Sequence, residues 1–136
     1  MRRYRALDFN YANATAVDQV LGGFFIMRRI AIDQISRFDE RFFLWYEEVD
    51  LCKRVRDAGY DVWYVPEAQV LHYGGRSFAQ LSAFQKQRIM HASMRLYARK
   101  HFSRMGQLLI ACAQPFALML AGIVQLLHLK PRAYRA

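Results

Sequence analysis

Three carboxylates, Glu47, Glu48 and Asp50, stand directly behind the aromatic run Phe42-Phe43-Leu44-Trp45-Tyr46 and just ahead of Cys52 and Arg54. A carboxylate held among aromatic rings loses hydration, and with a second acid beside it its pKa rises toward the range useful to a general base. If a helix begins near Tyr46, its first turn pulls the other way, favouring the ionised acid by roughly 0.3–1 kcal/mol. On that helix a 100° step puts Glu48, Leu51, Cys52, Val55 and Ala58 on one face and Glu47, Asp50 and Arg54 on another. Glu48 therefore continues the apolar stripe, where a solvated capping acid does not belong. Asp50 and Arg54 have a plainer reading as an i,i+4 pair near a helix start.

The elements that must position this helix can be read on both sides of it. Upstream, Val17–Met27 reads as a buried strand interrupted by Gly22-Gly23, which marks either a packing bulge or a place where a ligand approaches the backbone. Arg28-Arg29 precede a short helix over Ile30–Ile35, and the turn Ser36-Arg37-Phe38-Asp39 leads into the acidic motif. Those arginines suit either a diphosphate or plain solvation. Downstream, Gly59 is a helix stop. Asp61–Val65, ended by Pro66, and Ala68–Tyr73 read as strands. This is an α/β succession, too small to hold a nucleotide alone. His72 ends the second strand before Gly74-Gly75-Arg76-Ser77, where it would serve as an ordinary hydrogen-bonding residue, a metal ligand or a phosphate contact assisted by Arg76. The loop lacks Walker spacing.

Composition bounds the partners. The 136 residues are 54% hydrophobic, enough for one small domain, with a net charge of +9 and a pI near 10.0. Such charge suits an anionic partner. No nucleic-acid motif or aromatic-basic ribbon accompanies it, so nucleic acid ranks behind a membrane surface and a phosphorylated substrate. Two cysteines, Cys52 and Cys112, without Cys-x-x-Cys spacing, speak against a disulfide framework or structural zinc and fit a reducing cytosolic setting. Met1-Arg2-Arg3-Tyr4-Arg5 is followed by no apolar signal-peptide core.

Residues 79–102 carry a helical pattern, with Leu81, Gln85, Ile89, Ala92 and Leu96 in one stripe. Between Arg104 and Lys130 lie 25 residues without Lys, Arg, Asp or Glu, about 37 Å as a helix against a hydrocarbon core of about 30 Å. Gln107, Gln114, Pro115, Gln125 and His128 interrupt it and basic residues flank both ends, so a kinked helix in the interface explains the same facts as a single span. Membrane association is favoured over a true span.

The ordered series Phe38-Asp39-Glu40-x-Phe42-Phe43, Glu47-Glu48-Val49-Asp50-Leu51-Cys52-x-Arg54, Ala58-Gly59-Tyr60, Val65-Pro66 and His72 resembles the C-terminal half of a family 2 glycosyltransferase, and within it the rhamnosyltransferase-like enzymes of surface-polysaccharide assembly. The resemblance covers about residues 17–103. It implies the C-terminal portion of a GT-A (nucleotide-diphospho-sugar transferase) fold followed by long C-terminal helices, with 1–103 as the acceptor-side half and 104–136 as a membrane-associating helix with a basic tail. It implies an inverting transfer from a nucleotide sugar to a glycan or lipid-linked acceptor at the cytoplasmic face of the membrane, peripheral or single-span. Glu48 would be the base, standing where Asp is commoner. Gly22, Gly23, Glu47, Asp50, Arg54 and Arg76 would contact or orient substrate, and His72 would lie near a Mg2+ or Mn2+ diphosphate in the complete enzyme. Gln85-x-x-Arg88 lacks the Trp of processive synthases, Ile89 taking its place, and implies no processivity. The Asp-x-Asp nucleotide half of such enzymes has no counterpart in these residues, so this chain alone is expected to be inactive, with no cofactor of its own. The rival class is a noncatalytic, basic, membrane-associated interaction module.

Overall fold

The computed structural model describes residues 9–71 and 81–126. They form β1 (Thr15–Val17), α1 (Arg29–Ile35), α2 (Glu47–Asp57), β2 (Val62–Tyr64), α3 (Ala83–His101) and α4 (Arg104–Leu126). The chain divides into two compact units, residues 9–38 with 48–71, and residues 39–47 with 81–126.

In the first unit β1 and β2 pair antiparallel, with Ala16 opposite Trp63. The strand expected over Val17–Met27 is confined to Thr15–Val17. Gly22-Gly23 form a turn, and Leu21 and Ile26 beside them are exposed rather than buried. Residues 68–71, expected to begin a strand, form none, and the remainder of that segment lies outside the described residues. Helix α2 buries Leu51, Cys52 and Val55, as its stripe predicts. It stops at Gly59, whose φ of 85° suits the left-handed position. There the Gly59 N–H donates to Arg56 O (3.0 Å) and the Tyr60 N–H to Val55 O (3.2 Å), satisfying carbonyls that the helix end leaves open.

In the second unit α3 starts on a capping box. Ser82 Oγ accepts from the Gln85 N–H (3.2 Å) and Gln85 Oε1 accepts from the Ser82 N–H (2.8 Å). Its buried residues are His91, Ser93 and Ala98, not the expected stripe: Gln85 and Ala92 are exposed. The reason is polar. Gln114 of α4, itself buried, donates to His91 O (3.1 Å) and accepts from Arg95 Nη1 (2.8 Å), so the two helices meet through hydrogen bonds. Pro115 lies inside α4, which continues past it. The segment 39–47 is tied to α3: Ser93 Oγ donates to Leu44 O (2.6 Å), Lys100 Nζ donates to Asp39 (2.8 Å), and the Tyr46 and Tyr97 rings lie 5.4 Å apart. Hydrogen bonds from Arg41 and then Lys100 hold the Asp39 carboxyl well below the usual carboxylate range, against the opposing effect of burial.

Candidate active site

Glu48 lies in the first turn of α2, half-buried, with Oε2 shielded from solvent. An irregular segment from the end of β1 runs antiparallel along the same helix. The Asp18 side chain and carbonyl accept from Arg56 Nη1, the Val20 N–H donates to the Cys52 thiol, and the Gly22 backbone lies against Glu48. Two residues of extended chain cover about 6.6 Å and four residues of helix about 6.0 Å, so an antiparallel strap meets the helix at every second residue. The rungs 18–56, 20–52 and 22–48 keep that spacing and bring Gly22 to the carboxylate. A Cβ on Gly22 would sit 3.5 Å from Glu48 Cβ and 3.9 Å from its carboxyl carbon, an ordinary contact. A larger side chain there would cover the acid. Gly23 shares the turn.

Cys52, on the next rung, is buried, and its thiol pKa is raised by burial and further by the Glu48 charge. This thiol is kept protonated and is no nucleophile. It is a neutral neighbour of Glu48.

Asp50, placed by helical periodicity on the second face, has no exposed surface at all. Arg54 Nε donates to it (2.8 Å), while the rest of the guanidinium donates to Ile35 O (2.6 Å) and Arg37 O (2.9 Å). The expected i,i+4 pair is present, but buried by the turn after α1. Both charges face that turn. Arg29, by contrast, pairs with Asp33 (2.9 Å) in the open.

Glu47 belongs to the other unit, where its Oε2 is buried without a hydrogen-bond partner among the described residues. Trp45 and Tyr46 precede it with φ of 61° and 70°. The left-handed region costs such residues roughly 1–2 kcal/mol each, so the α2 entry is held there by its surroundings. His72 and Arg76 lie outside the described residues. Among those described, no group of three His, Cys, Asp or Glu is arranged to hold a metal ion. A hollow of about 640 Å³ between β1 and the Gly59 turn, lined by Asp18, Arg56, Tyr60 and Asp61 among others, does not include Glu48.

Asp18 and Arg56 were not legible as site-forming residues. Only the Asp50–Arg54 spacing signalled the clamp, and nothing local signals a partner 38 residues away.

Over part of its length the chain is related to rhamnosyltransferases, which are glycosyltransferases. It is 45% identical over 56 residues, 41% of this chain and 18% of the relative, to N-acetylglucosaminyl-diphospho-decaprenol L-rhamnosyltransferase of Mycobacterium tuberculosis. It is 36% identical over 67 residues, 47% of this chain, to Rhamnosyltransferase WbbL of Escherichia coli K12, of which that match covers 25%. The chain thus matches a quarter or less of the length of these curated relatives. No protein-family model and no solved structure matches it.

Proposed function

We propose that this chain supplies the acceptor-side, base-bearing part of an inverting glycosyltransferase with a GT-A fold. It would transfer a sugar, in the rhamnosyltransferase manner, from a nucleotide sugar to a glycan or lipid-linked acceptor at the cytoplasmic membrane face. The observation that carries this reading is the meeting of Glu48 with the Gly22 backbone on α2, in a chain related to rhamnosyltransferases.

The chemistry asked of the site is one proton and one bond exchange. Glu48 accepts the proton of the acceptor hydroxyl as its oxygen bonds the anomeric carbon, and the bond from that carbon to the nucleoside diphosphate breaks with its electron pair leaving on phosphate oxygen. A first helical turn favours the ionised carboxylate, the form a general base must present. The glycine rung leaves room beside it for the acceptor, and the neutral Cys52 thiol adds no competing charge. Glu47, Asp50 and Arg54 support the base: Asp50 and Arg54 fix α2 against the 35–37 turn, and Glu47 stands beside Glu48 at the helix start.

Glu48→Gln in the complete enzyme should lower turnover by about 10²–10⁴-fold with unchanged folding and acceptor affinity. Near-normal turnover would transfer the base role to Glu47.

A further inference from the structure

Helix α4 is two-faced in the opposite sense to an ordinary surface helix. Leu108, Leu109, Phe116, Met119, Leu120 and Ile123 are all exposed, between 43% and 68%. At 100° per residue they fall within about 60° of one line along the helix, with Gln114 about 180° away. Gln114 is the buried residue bonded to α3, so the exposed stripe is the face turned from α3. Within Arg104–Val124 an 18-residue stretch has a mean hydropathy of 1.9, and 6% of it is buried. A contiguous apolar face of this kind on a soluble surface marks a docking site.

Charge identifies what docks. From Ala68 to Ala136 the sequence holds ten Lys or Arg and not one Asp or Glu. In the described part Lys86, Arg88, Arg95, Arg99 and Lys100 lie on α3 and Arg104 opens α4. Packed helices lie about 8–10 Å apart, so α3's cations sit within about a Debye length of anything anionic that α4 touches. The same pairing rules out a span of the docked hairpin. Residue 114 meets residues 91 and 95, and a bilayer centred on α4 would draw the exposed Arg88 and Arg95 toward its midplane.

We propose that α4 is an in-plane docking helix for an anionic lipid surface, its 108–123 stripe in the acyl boundary and α3 on the aqueous side. This deepens the membrane-face reading of the function, and its test uses neither donor nor acceptor, so it fails or stands apart from sugar transfer. The 136-residue chain should sediment with vesicles of phosphatidylcholine containing about one-third phosphatidylglycerol, and about tenfold less with phosphatidylcholine alone. Phe116→Glu with Leu120→Glu, both on the exposed face, should lower binding about tenfold or more with an unchanged circular dichroism spectrum. Cys112 lies on the stripe and is exposed, whereas Cys52 is buried, so a fluorophore can be placed on the native thiol. Labels at Cys112 and, in Cys112→Ser chains, at Met105→Cys and Ile123→Cys should all be quenched by shallow lipid-borne quenchers to one common depth. Depths graded from 105 to 123 would mean a span and overturn the proposal. So would unchanged binding of the double variant, or self-association of the parent chain abolished by that variant without vesicle binding.

Discussion

Arg54 spends its whole guanidinium around one strained residue. Nε holds Asp50, and Nη1 and Nη2 take the carbonyls of Ile35 and Arg37, which flank Ser36. Ser36 has φ 69° and ψ 175°, a region that is essentially glycine's alone and costs other residues about 1–3 kcal/mol. The clamp imposes that conformation on the chain just before the acidic stretch. Removing one partner of such a pair leaves Asp50 charged and fully buried, so Arg54→Ala should cost about 3–5 kcal/mol in urea unfolding. Arg54→Lys should recover little, since an ammonium cannot present the planar fork that reaches three acceptors. Ser36→Gly should stabilise the chain, and should also lessen the loss caused by Arg54→Ala. A strictly additive double variant would mean that the clamp does not hold the strained turn. Helical spacing alone made the Asp50–Arg54 pair legible. It could not show that the pair is buried, because the carbonyls that bury it lie 17 to 19 residues back, in a turn whose strain has no signature in residue type.

Helices were more legible than strands. Periodicity located α2 and α3 to within a few residues and Gly59 marked the end of α2, while the Ser82-x-x-Gln85 cap sets the start of α3 four residues inside the expected segment. The strands shrank to three residues each, and Gly22-Gly23 turn where the first was expected to continue. The α3 interface escaped the hydrophobic pattern because it is made by polar groups: His91 and Ser93 are each 5% exposed and Gln114 is 3% exposed. That composition has a pH consequence. His91 Nδ1 has no hydrogen-bond partner among the described residues, and burial, then the Arg95 charge, lowers the imidazole pKa. The unfolded chain therefore takes up this proton first as pH falls below the ordinary histidine value of about 6.5, and folded stability declines from there. The thermal midpoint of the second unit should be flat above about pH 7 and fall as the pH drops below the ordinary histidine value of about 6.5. In His91→Leu that fall should vanish, leaving the acid limb. Asp39, whose carboxyl is stabilised as the anion, contributes to that limb: its stabilisation is present above about pH 4 and is lost as pH falls further. A His91→Leu chain that keeps the full decline just below about pH 6.5 would place the titrating group elsewhere.

Taken whole, the chain divides its acidic stretch between two compact units, with Glu47 in one and Glu48 in the other. The buried apolar residues among those described are few: Ala31, Phe42, Leu51, Cys52, Val55 and Ala98. In the first unit they cluster on α2, while Leu21, Ile26, Ile30, Trp63 and Leu71 stay 54% to 88% exposed. Among the described residues the apolar content is thus not converted into a core of corresponding size. Composition could not reveal this, since it records how much apolar surface exists and not whether the chain folds over it. Stability must then be uneven. The β1–β2 pair has three rungs and no third strand among the described residues, and a two-stranded pair of that size is marginal in water. Helix α2 is held by its buried stripe, by the 18–22 strap and by the Arg54 clamp. In native-state hydrogen exchange, the amides of residues 51–55 should open only with the whole unit, whereas those of Thr15–Val17 and Val62–Tyr64 should exchange by local opening at far lower free energy. Adding a partner that covers Trp63 and Ile26 should slow the strand amides most. If β1 and β2 prove as protected as α2 in the chain by itself, the two-stranded sheet is stabilised by something other than its own pairing, and the exposed apolar groups of this unit do not mark a surface awaiting cover.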